Sequence, residues 1–195
     1  MGATDIPKAT THDLDPRDGL GLPTNYLRPH WYAAYTCANH EKCVAEQLSV
    51  RSVEHFLPLY QSVRDWKDRR VHLQLPLFRG YVFVRLALRD RLQVLQIPSV
   101  AKLVSFNGTP AALPEAEIEA LKAGLERGVQ AAPHPYLKAG RRVRITAGPL
   151  KGLEGIVIRK KNALRFVVSL DLIQRSIRLD IEASSVEPVS DREVL

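Results

Sequence analysis

A dense group of charged side chains lies between residues 64 and 70, where four basic and two acidic residues surround one tryptophan. The basic members, whose charges can neutralise phosphates and give salt-dependent affinity for nucleic acid, are Arg64, Lys67, Arg69 and Arg70. Trp66 offers an aromatic face on which an unpaired base can stack. The combination indicates contact with single-stranded nucleic acid. The alternative interpretation is a solvated tip with Trp66 folded back onto the protein.

Residues that would support catalysis or metal binding are scattered along the chain. The six histidines stand at positions 12, 30, 40, 55, 72 and 134, and none has the spacing of a metal ligand. Cys37 and Cys43 lie six residues apart without clustered partners, which indicates reduced thiols. No phosphate-binding glycine loop, zinc-protease motif or serine-nucleophile motif is found in the sequence. We therefore expect a protein that is not an enzyme and that needs no cofactor or metal.

The overall composition fits a globular protein with a polyanionic partner. The chain has 195 residues, 45% hydrophobic and 25% charged, with a net charge of +7 and a pI near 9.6. A basic chain suits nucleic acid as a partner. No apolar run reaches the roughly 18 residues of a membrane span, and residues 1–29 lack the apolar core of a signal peptide. These features predict a cytoplasmic protein with no membrane partner.

The first half of the chain alternates strand and helix patterns. Residues 31–37 have the aromatic content of a partly buried strand, and Asn39 is a plausible N-cap for a helix behind it. Residues 89–96 resemble a short helix, and Pro114 opens a helix predicted over Glu115–Glu126. The other predicted strands are 55–60, 73–75, 77–86 and 101–106, the first two forming a long hairpin around the charged tip and the last ending at Asn107-Gly108. This order predicts an α+β domain.

The second half lacks any helical period. Residues 128–136 carry two prolines and no apolar pattern, which predicts a semi-extended linker. Short strands separated by turn signals are predicted over residues 142–146, 155–160, 165–170 and 176–180, a pattern typical of a small β-barrel. The predicted organisation is therefore a disordered leader (1–29), an α+β domain (30–127), a linker (128–136) and a barrel (137–190).

Three segments carry a resemblance to a known family. The glycine-rich segment 143–158 looks like a KOW motif, which is found in SH3-like barrels of NusG and of some ribosomal proteins. Residues 76–84 resemble the central strand of the NusG N-terminal domain, although Arg79 stands where that family usually has a proline. Trp31-Tyr32 and residues 40–48 are similar to the family's first strand and helix. The segments occur in family order and cover about residues 31–189.

The resemblance to NusG implies an N-terminal domain with an antiparallel sheet, flanking helices and an apolar patch that binds RNA polymerase. The positions matching this patch are Tyr35, Phe78, Tyr81, Phe83 and Phe106. The alternative interpretation is that these aromatic residues are simply core. In a regular strand Phe78 would lie opposite Tyr81 and Phe83, so all three can line one patch only if Gly80 marks a bulge.

The same resemblance implies a second partner for the barrel, a small-subunit ribosomal protein. The positions matching this surface are Leu150, Lys151, Leu172 and Ile173. Within the family the chain looks more like the specialised, operon-specific paralogues (UpxY-like, more distantly RfaH-like). Residues 172–175 replace the aromatic residue and glycine with which housekeeping factors help bind termination factor Rho, so Rho binding is expected to be weak or absent.

The specialised paralogues use the hairpin region to read exposed DNA, so the resemblance implies that residues 64–70 touch the non-template strand in the transcription bubble. The leading hypothesis is a monomeric transcription elongation factor or antiterminator. The alternative is a ribosome-associated or RNA-binding KOW protein without a polymerase role. The α+β domain distinguishes them, because a bare KOW protein has no reason to carry it.

Overall fold

A computed structural model describes residues 24–66, 69–134, 141–160, 163–179 and 186–189. The helices in this part of the chain are α1 (Thr24–Leu27), α2 (Glu41–Val50), α3 (Leu92–Leu95) and α4 (Glu115–Glu126). The strands before α4 are β1 (His30–Thr36), β2 (Glu54–Phe56), β3 (Leu59–Trp66), β4 (Arg69–Pro76), β5 (Tyr81–Leu86), β6 (Val100–Leu103), β7 (Ser105–Phe106) and β8 (Thr109–Pro110). The strands after it are β9 (Ala131–His134), β10 (Arg141–Ile145), β11 (Glu154–Lys160), β12 (Ala163–Leu170), β13 (Arg175–Leu179) and β14 (Val186–Pro188).

The N-terminal sheet has the order β2-β5-β1-β6, with every neighbouring pair antiparallel. Its centre is the pairing of β1 with β5, in which Ala33 lies opposite Phe83 and Tyr35 opposite Tyr81. Residues directly opposite one another share a face of the sheet. The four residues therefore belong to one face, while their chain neighbours Tyr32, Ala34, Val82 and Val84 belong to the other.

The two faces of the N-terminal sheet are covered differently. Tyr32 and Val84 pack with Val44 and Leu48 of α2 and with Val94 of α3 in one apolar cluster, so local helices cover this face. The opposite face packs against α4 and also against strands from the C-terminal half of the chain. The described residues therefore contain one apolar cluster within the first half and a second one that both halves share.

Strands β3 and β4 form the predicted long hairpin as a separate two-stranded sheet. Their register runs from Leu59 opposite Pro76 to Trp66 opposite Arg69, so the strands extend much closer to the tip than predicted. The predicted strand 55–60 is wrong as one unit, because it breaks at Pro58. The carbonyl of Pro58 accepts a hydrogen bond from the Leu77 N–H at 2.9 Å, which ties the base of the hairpin.

The C-terminal sheet has the order β14-β10-β11-β12-β13-β9, and all neighbouring strands are antiparallel. This six-stranded arrangement is compatible with the predicted KOW-like barrel, and the mixed fold with antiparallel sheets confirms the predicted fold class. The linker prediction for residues 128–136 needs correction, because residues 131–134 form edge strand β9. Pro133 lies opposite Ile177 there, and an edge strand tolerates the missing N–H of a proline.

Some of the predicted starts and ends of helices and strands agree with the structure, and others do not. Helix α4 has the predicted bounds, and the turn at Asn107-Gly108 is present with φ values of +48° and +80°. The predicted strand 101–106 is interrupted, because β6 and the ribbon β7–β8 are separate. The leader prediction is wrong for residues 24–27, which form α1, whose Tyr26 packs against the cluster of the first half. Residues 1–23 lie outside the described residues.

Candidate functional site

A tight turn at Gly80 decides how the predicted polymerase-binding aromatics are arranged. Gly80 has φ +81°, a left-handed conformation that glycine adopts readily, and the Tyr81 N–H donates to the Phe78 carbonyl at 3.1 Å. Strand β5 begins only at Tyr81. We call residues 78–81 the Gly80 turn. The bulge expected at this glycine is therefore a turn that precedes the strand.

The Gly80 turn brings four of the five predicted aromatics together on one sheet face. The rings of Tyr35 and Tyr81 lie 5.4 Å apart, and those of Phe78 and Phe83 meet edge to face at 5.4 Å. Such separations are typical of favourable aromatic pairs. We call Tyr35, Phe78, Tyr81 and Phe83 the aromatic cluster. The fifth residue, Phe106, lies on the ribbon β7–β8 with 52% of its surface exposed.

The aromatic cluster is only partly accessible. Tyr35 is 41% exposed and Tyr81 is half-buried, whereas Phe78 and Phe83 are buried. The expectation that all of them form a surface patch therefore needs correction for Phe78 and Phe83. Both belong to the apolar cluster that the N-terminal sheet shares with the C-terminal sheet. Phe78 and Phe83 are core residues in this structure, as the alternative interpretation predicted.

Contacts between the two halves identify what lies next to the aromatic cluster. Leu150, in the loop between β10 and β11, packs against α4 at Gly124, where a Cβ atom would lie 2.9 Å from Cγ of Leu150 and closer still to Cδ2. The guanidinium of Arg175 at the start of β13 lies 5.9 Å from the centre of the Tyr81 ring, within the range of a cation–π interaction. We call this packing of the C-terminal sheet against the first half the closed arrangement.

The residues predicted to bind a second partner lie largely in the same contact region. Leu150 and Ile173 are buried in the shared apolar cluster, and the half-buried Leu172 packs against it. Lys151 is exposed. Gln174 follows Ile173 with φ +48°, a left-handed conformation that is uncommon for a residue other than glycine. In the closed arrangement residues of the two predicted binding surfaces therefore belong to one shared apolar cluster.

Helix α4 is fixed on the sheet by polar contacts as well as by its apolar face. The indole Nε1 of Trp31 donates to Glu119 at 3.2 Å, and Leu113 forms a bridge with Trp31 just before the helix. Arg85 of β5 pairs with Glu54 of β2 at 3.2 Å and with Glu115 at 2.9 Å. The hydrogen bond with Glu54 raises the pKa of Arg85, and the charge of Glu115 adds to the effect. These pairs orient α4, and Gly124 with it.

The predicted DNA-binding residues lie at or beside the tip of the β3–β4 hairpin. The backbone places Arg64 opposite Val71 and Trp66 opposite Arg69, next to the tip. Arg70 is exposed. The side chains of Arg64, Trp66 and Arg69, and the whole of Lys67, lie outside the described residues. Further down the ribbon Val63 is 55% exposed, as expected for a residue of a separate two-stranded sheet.

Sequence reasoning missed two residues of the site. Glu41, the first residue of α2, is buried, and its Oε1 accepts a hydrogen bond from the Gly80 N–H at 2.7 Å. Gly124 was not singled out, although a glycine inside a helix costs roughly 1 kcal/mol relative to alanine and so signals a close approach. No comparable signal marks Glu41, because its partner is 39 residues away.

The described residues contain neither a cluster of metal-binding side chains nor a membrane-spanning helix. Among them, no group of three or more histidine, cysteine or carboxylate residues could hold a metal ion. No helix in the described part of the chain is long and apolar enough to cross a membrane.

The fold and the site together describe an α+β domain with an aromatic sheet face, followed by a small antiparallel β domain. Residues 29–122 match the family model described as "Transcription termination factor nusG". Together with the resemblances below, this match supports a factor of the NusG family of transcription termination and antitermination factors. Proteins of this family are transcription factors rather than enzymes.

Two bacterial proteins and one solved structure illustrate the relationship. The chain is 24% identical to the transcription termination/antitermination protein NusG of Rickettsia felis over 155 residues, 72% of this chain and 81% of that protein. It is 21% identical to the NusG of Rickettsia bellii over 169 residues, 80% of this chain and 88% of that protein. A solved structure of domain interaction in Thermotoga maritima NusG matches with a TM-score of 0.50 at 22% identity, covering 84% of this chain and 99% of that one.

Proposed function

We propose that this protein is an elongation factor and antiterminator that binds RNA polymerase through the aromatic face of its N-terminal sheet. The observation that carries the proposal is the Gly80 turn, which places Phe78 on the same face as Tyr81 and Phe83. An aromatic cluster on a rigid sheet is a suitable anchor for a protein partner, because large rings contribute much contact area at little cost in conformational entropy. The family match at residues 29–122 includes this whole face.

Binding through the complete aromatic cluster requires the C-terminal sheet to move. In the closed arrangement Phe78 and Phe83 are buried, so only the Tyr35 side of the cluster is open to a partner. A partner that binds the separated form alone shifts the protein toward separation by its differential affinity. The free energy needed to separate the two halves therefore makes the free energy of binding to polymerase less favourable by the same amount.

The C-terminal sheet supplies the second binding surface, for which the resemblance implies a small-subunit ribosomal protein. Leu150 and Ile173 are the central apolar positions, with Leu172 and Lys151 beside them. We expect Rho to bind weakly or not at all, because residues 172–175 differ from the pattern of the housekeeping factors. This loop is also one of the reasons to place the protein among the specialised paralogues.

The hairpin supplies a third contact, to the non-template DNA strand in the transcription bubble. The pairing of β3 with β4 holds Trp66 and Arg69 at adjacent positions beside the tip, and Arg70 is exposed. A basic tip gives affinity through the phosphates, and an aromatic side chain adds a stacking surface for an unpaired base. We expect the protein to act as a monomer bound to one polymerase.

Titration of full-length protein against purified bacterial RNA polymerase tests this function. Tyr35→Ala removes an exposed ring without opening a cavity in the core, and we expect it to weaken binding about tenfold, roughly 1.4 kcal/mol. Val50→Ala is the matched control, because Val50 is 81% exposed on α2 and lies outside the aromatic cluster. Absence of polymerase binding by the unaltered protein, or equal affinity of the Tyr35 variant, would overturn the proposal.

A further inference from the structure

Glu41 is the only carboxylate among the buried polar residues that the structure describes. Removing a carboxylate from water costs free energy unless hydrogen bonds replace its hydration. Its Oε1 accepts a hydrogen bond from the backbone N–H of Gly80 at 2.7 Å. A charged acceptor makes such a bond roughly twice as strong as one between neutral groups. The carboxylate therefore has a specific structural partner at the turn.

The segment leading into Glu41 is itself held in place. The Cys37 N–H donates to the Ser99 carbonyl at 2.8 Å, and the His40 N–H donates to the Cys37 carbonyl at 3.2 Å. The imidazole Nδ1 of His40 lies 2.6 Å from the hydroxyl of Ser99. Because β1 and the residue before β6 fix this segment, the position of Glu41 does not depend on helix α2 alone.

Gly80 is held from two sides in a conformation that leaves it little freedom. Glu41 accepts from its N–H, and its carbonyl accepts from the Thr36 N–H at 2.9 Å. A Cβ atom at position 80 would lie 3.3 Å from Cε2 of Tyr35, so the turn fits closely against that ring. Without the carboxylate, the buried N–H of Gly80 would lose its partner, at a cost that favours a different turn.

We propose that Glu41 is a positioning residue for the aromatic cluster, acting through the Gly80 turn. It touches none of the proposed partners. It holds the turn in the conformation that directs Phe78 toward Phe83 and places Tyr81 beside Tyr35. The proposal rests on the proposed function, because positioning the cluster is useful only if the cluster binds a partner.

Glu41 could also have a purely structural role, which would depend on its charge rather than on its contact with Gly80. Glu41 is the first residue of α2, and a negative charge in the first turn stabilises a helix through its macrodipole. Glu41→Gln separates the two roles, because glutamine keeps the side-chain carbonyl acceptor and loses the charge. Glu46→Ala is the control for surface charge on the same helix, since Glu46 is exposed. Val44→Ala is the control for lost stability, since Val44 is a buried apolar residue of that helix.

Hydrogen exchange of the Gly80 amide in the full chain, followed by NMR, tests the contact directly. We expect exchange to be about tenfold faster in Glu41→Ala, and within about threefold of the unaltered protein in Glu41→Gln. The two controls should not change Gly80 relative to neighbouring amides. If Glu41→Ala does not fold, Glu41→Asp serves instead, because it keeps the charge but shortens the reach to the turn.

Polymerase affinity measured on the same variants tests the positioning role. We expect Glu41→Ala to bind about tenfold more weakly, with Glu41→Gln close to the unaltered protein and Val44→Ala little changed at a temperature where it is folded. Unchanged Gly80 exchange in Glu41→Ala overturns the proposal, as does a Glu41→Gln variant that behaves like the alanine variant. Failure of the unaltered protein to bind polymerase counts against the proposed function, while the exchange experiment still decides whether Glu41 holds the turn.

Discussion

Leu150 packs against the backbone of helix α4 at Gly124, so closely that a Cβ atom there would lie 2.9 Å from Cγ of Leu150. The two residues belong to different halves of the chain, and Leu150 is also one of the positions predicted to bind a second partner. The contact therefore stabilises the closed arrangement, and it occupies the Leu150 side chain that the second partner is proposed to bind. Its removal should affect both proposed interactions in the same direction.

Gly124→Ala should shift the protein toward the separated form. Alanine is a better helix former than glycine by about 1 kcal/mol, so α4 itself should gain stability while its contact with Leu150 is lost. We expect polymerase affinity to rise about three- to tenfold, because less free energy is spent on separating the halves. The measurement is a polymerase titration together with the radius of gyration from small-angle X-ray scattering.

Lys122→Ala is the control for this substitution, because it changes the same helix without altering position 124. The control should leave both the affinity and the radius of gyration unchanged. A Gly124→Ala protein that is as compact as the original and binds polymerase equally would contradict the role given to the Leu150 contact.

Substitutions in the hairpin should separate base stacking from phosphate binding. Trp66→Ala should weaken recruitment or pausing at particular sequences, by roughly 1–3 kcal/mol per stacked base, with little change in melting temperature. Arg69→Ala combined with Arg70→Ala should weaken binding across all sequences and flatten its salt dependence. Crosslinking to the non-template strand and affinity at several salt concentrations distinguish the two. A sharp fall in melting temperature for Trp66→Ala with intact crosslinking would mean that the residue is structural.

The second partner should compete with the closed arrangement. Adding the small-subunit ribosomal protein to isotope-labelled full chain should shift the amide resonances of Leu150 and Ile173. Lys151→Ala should weaken this binding by a few-fold, since Lys151 is exposed beside Leu150, whereas Lys102→Ala in the first half should not. Unperturbed resonances at Leu150 and Ile173 would argue against this surface. Titration with Rho under the same conditions should give weak binding or none.

Tyr32→Phe should stabilise the fold and change its response to alkaline pH. The side chain of Tyr32 is buried and its hydroxyl has no hydrogen-bond partner among the described residues, so removing it should raise the free energy of unfolding by about 1 kcal/mol. Burial raises the pKa of Tyr32 from 10.0 to about 12. The stability associated with its neutral form is complete below pH 10 and is lost as the pH rises toward 12.

Urea denaturation of both proteins between pH 7 and pH 11 checks this expectation. The Tyr32→Phe protein should lose less stability above pH 10 than the unaltered one. Tyr35→Phe is the matched control, because the residue is exposed and its hydroxyl should matter little. Parallel stability curves for Tyr32→Phe and the unaltered protein above pH 10 would show that ionisation of Tyr32 is not coupled to folding.

Local patterns in the sequence were sufficient for the elements whose causes lie within a few residues. Helix α4 follows from Pro114 and the spacing of Ile118 and Leu121, and the turn at Asn107-Gly108 follows from a dipeptide that accepts positive φ. The hairpin was predicted from two strand patterns that flank a charged segment. Its strands are longer than expected, because cross-strand pairing continues through the charged residues to the tip. The order of the predicted strands and helices indicated the fold class, and the family resemblance supplied the identity of the aromatic positions.

Tertiary structure decided which of those aromatics a partner can reach. Phe78 and Phe83 are buried in an apolar cluster that α4 and the C-terminal sheet share with the N-terminal sheet, and the N–H of Gly80 finds its acceptor in Glu41, 39 residues away. Strand β9 likewise forms only where β13 offers it a partner. No pattern within the segments themselves contains this information. Each outcome depends on a surface built by distant parts of the chain, and burial and hydrogen bonding are settled only when those surfaces meet.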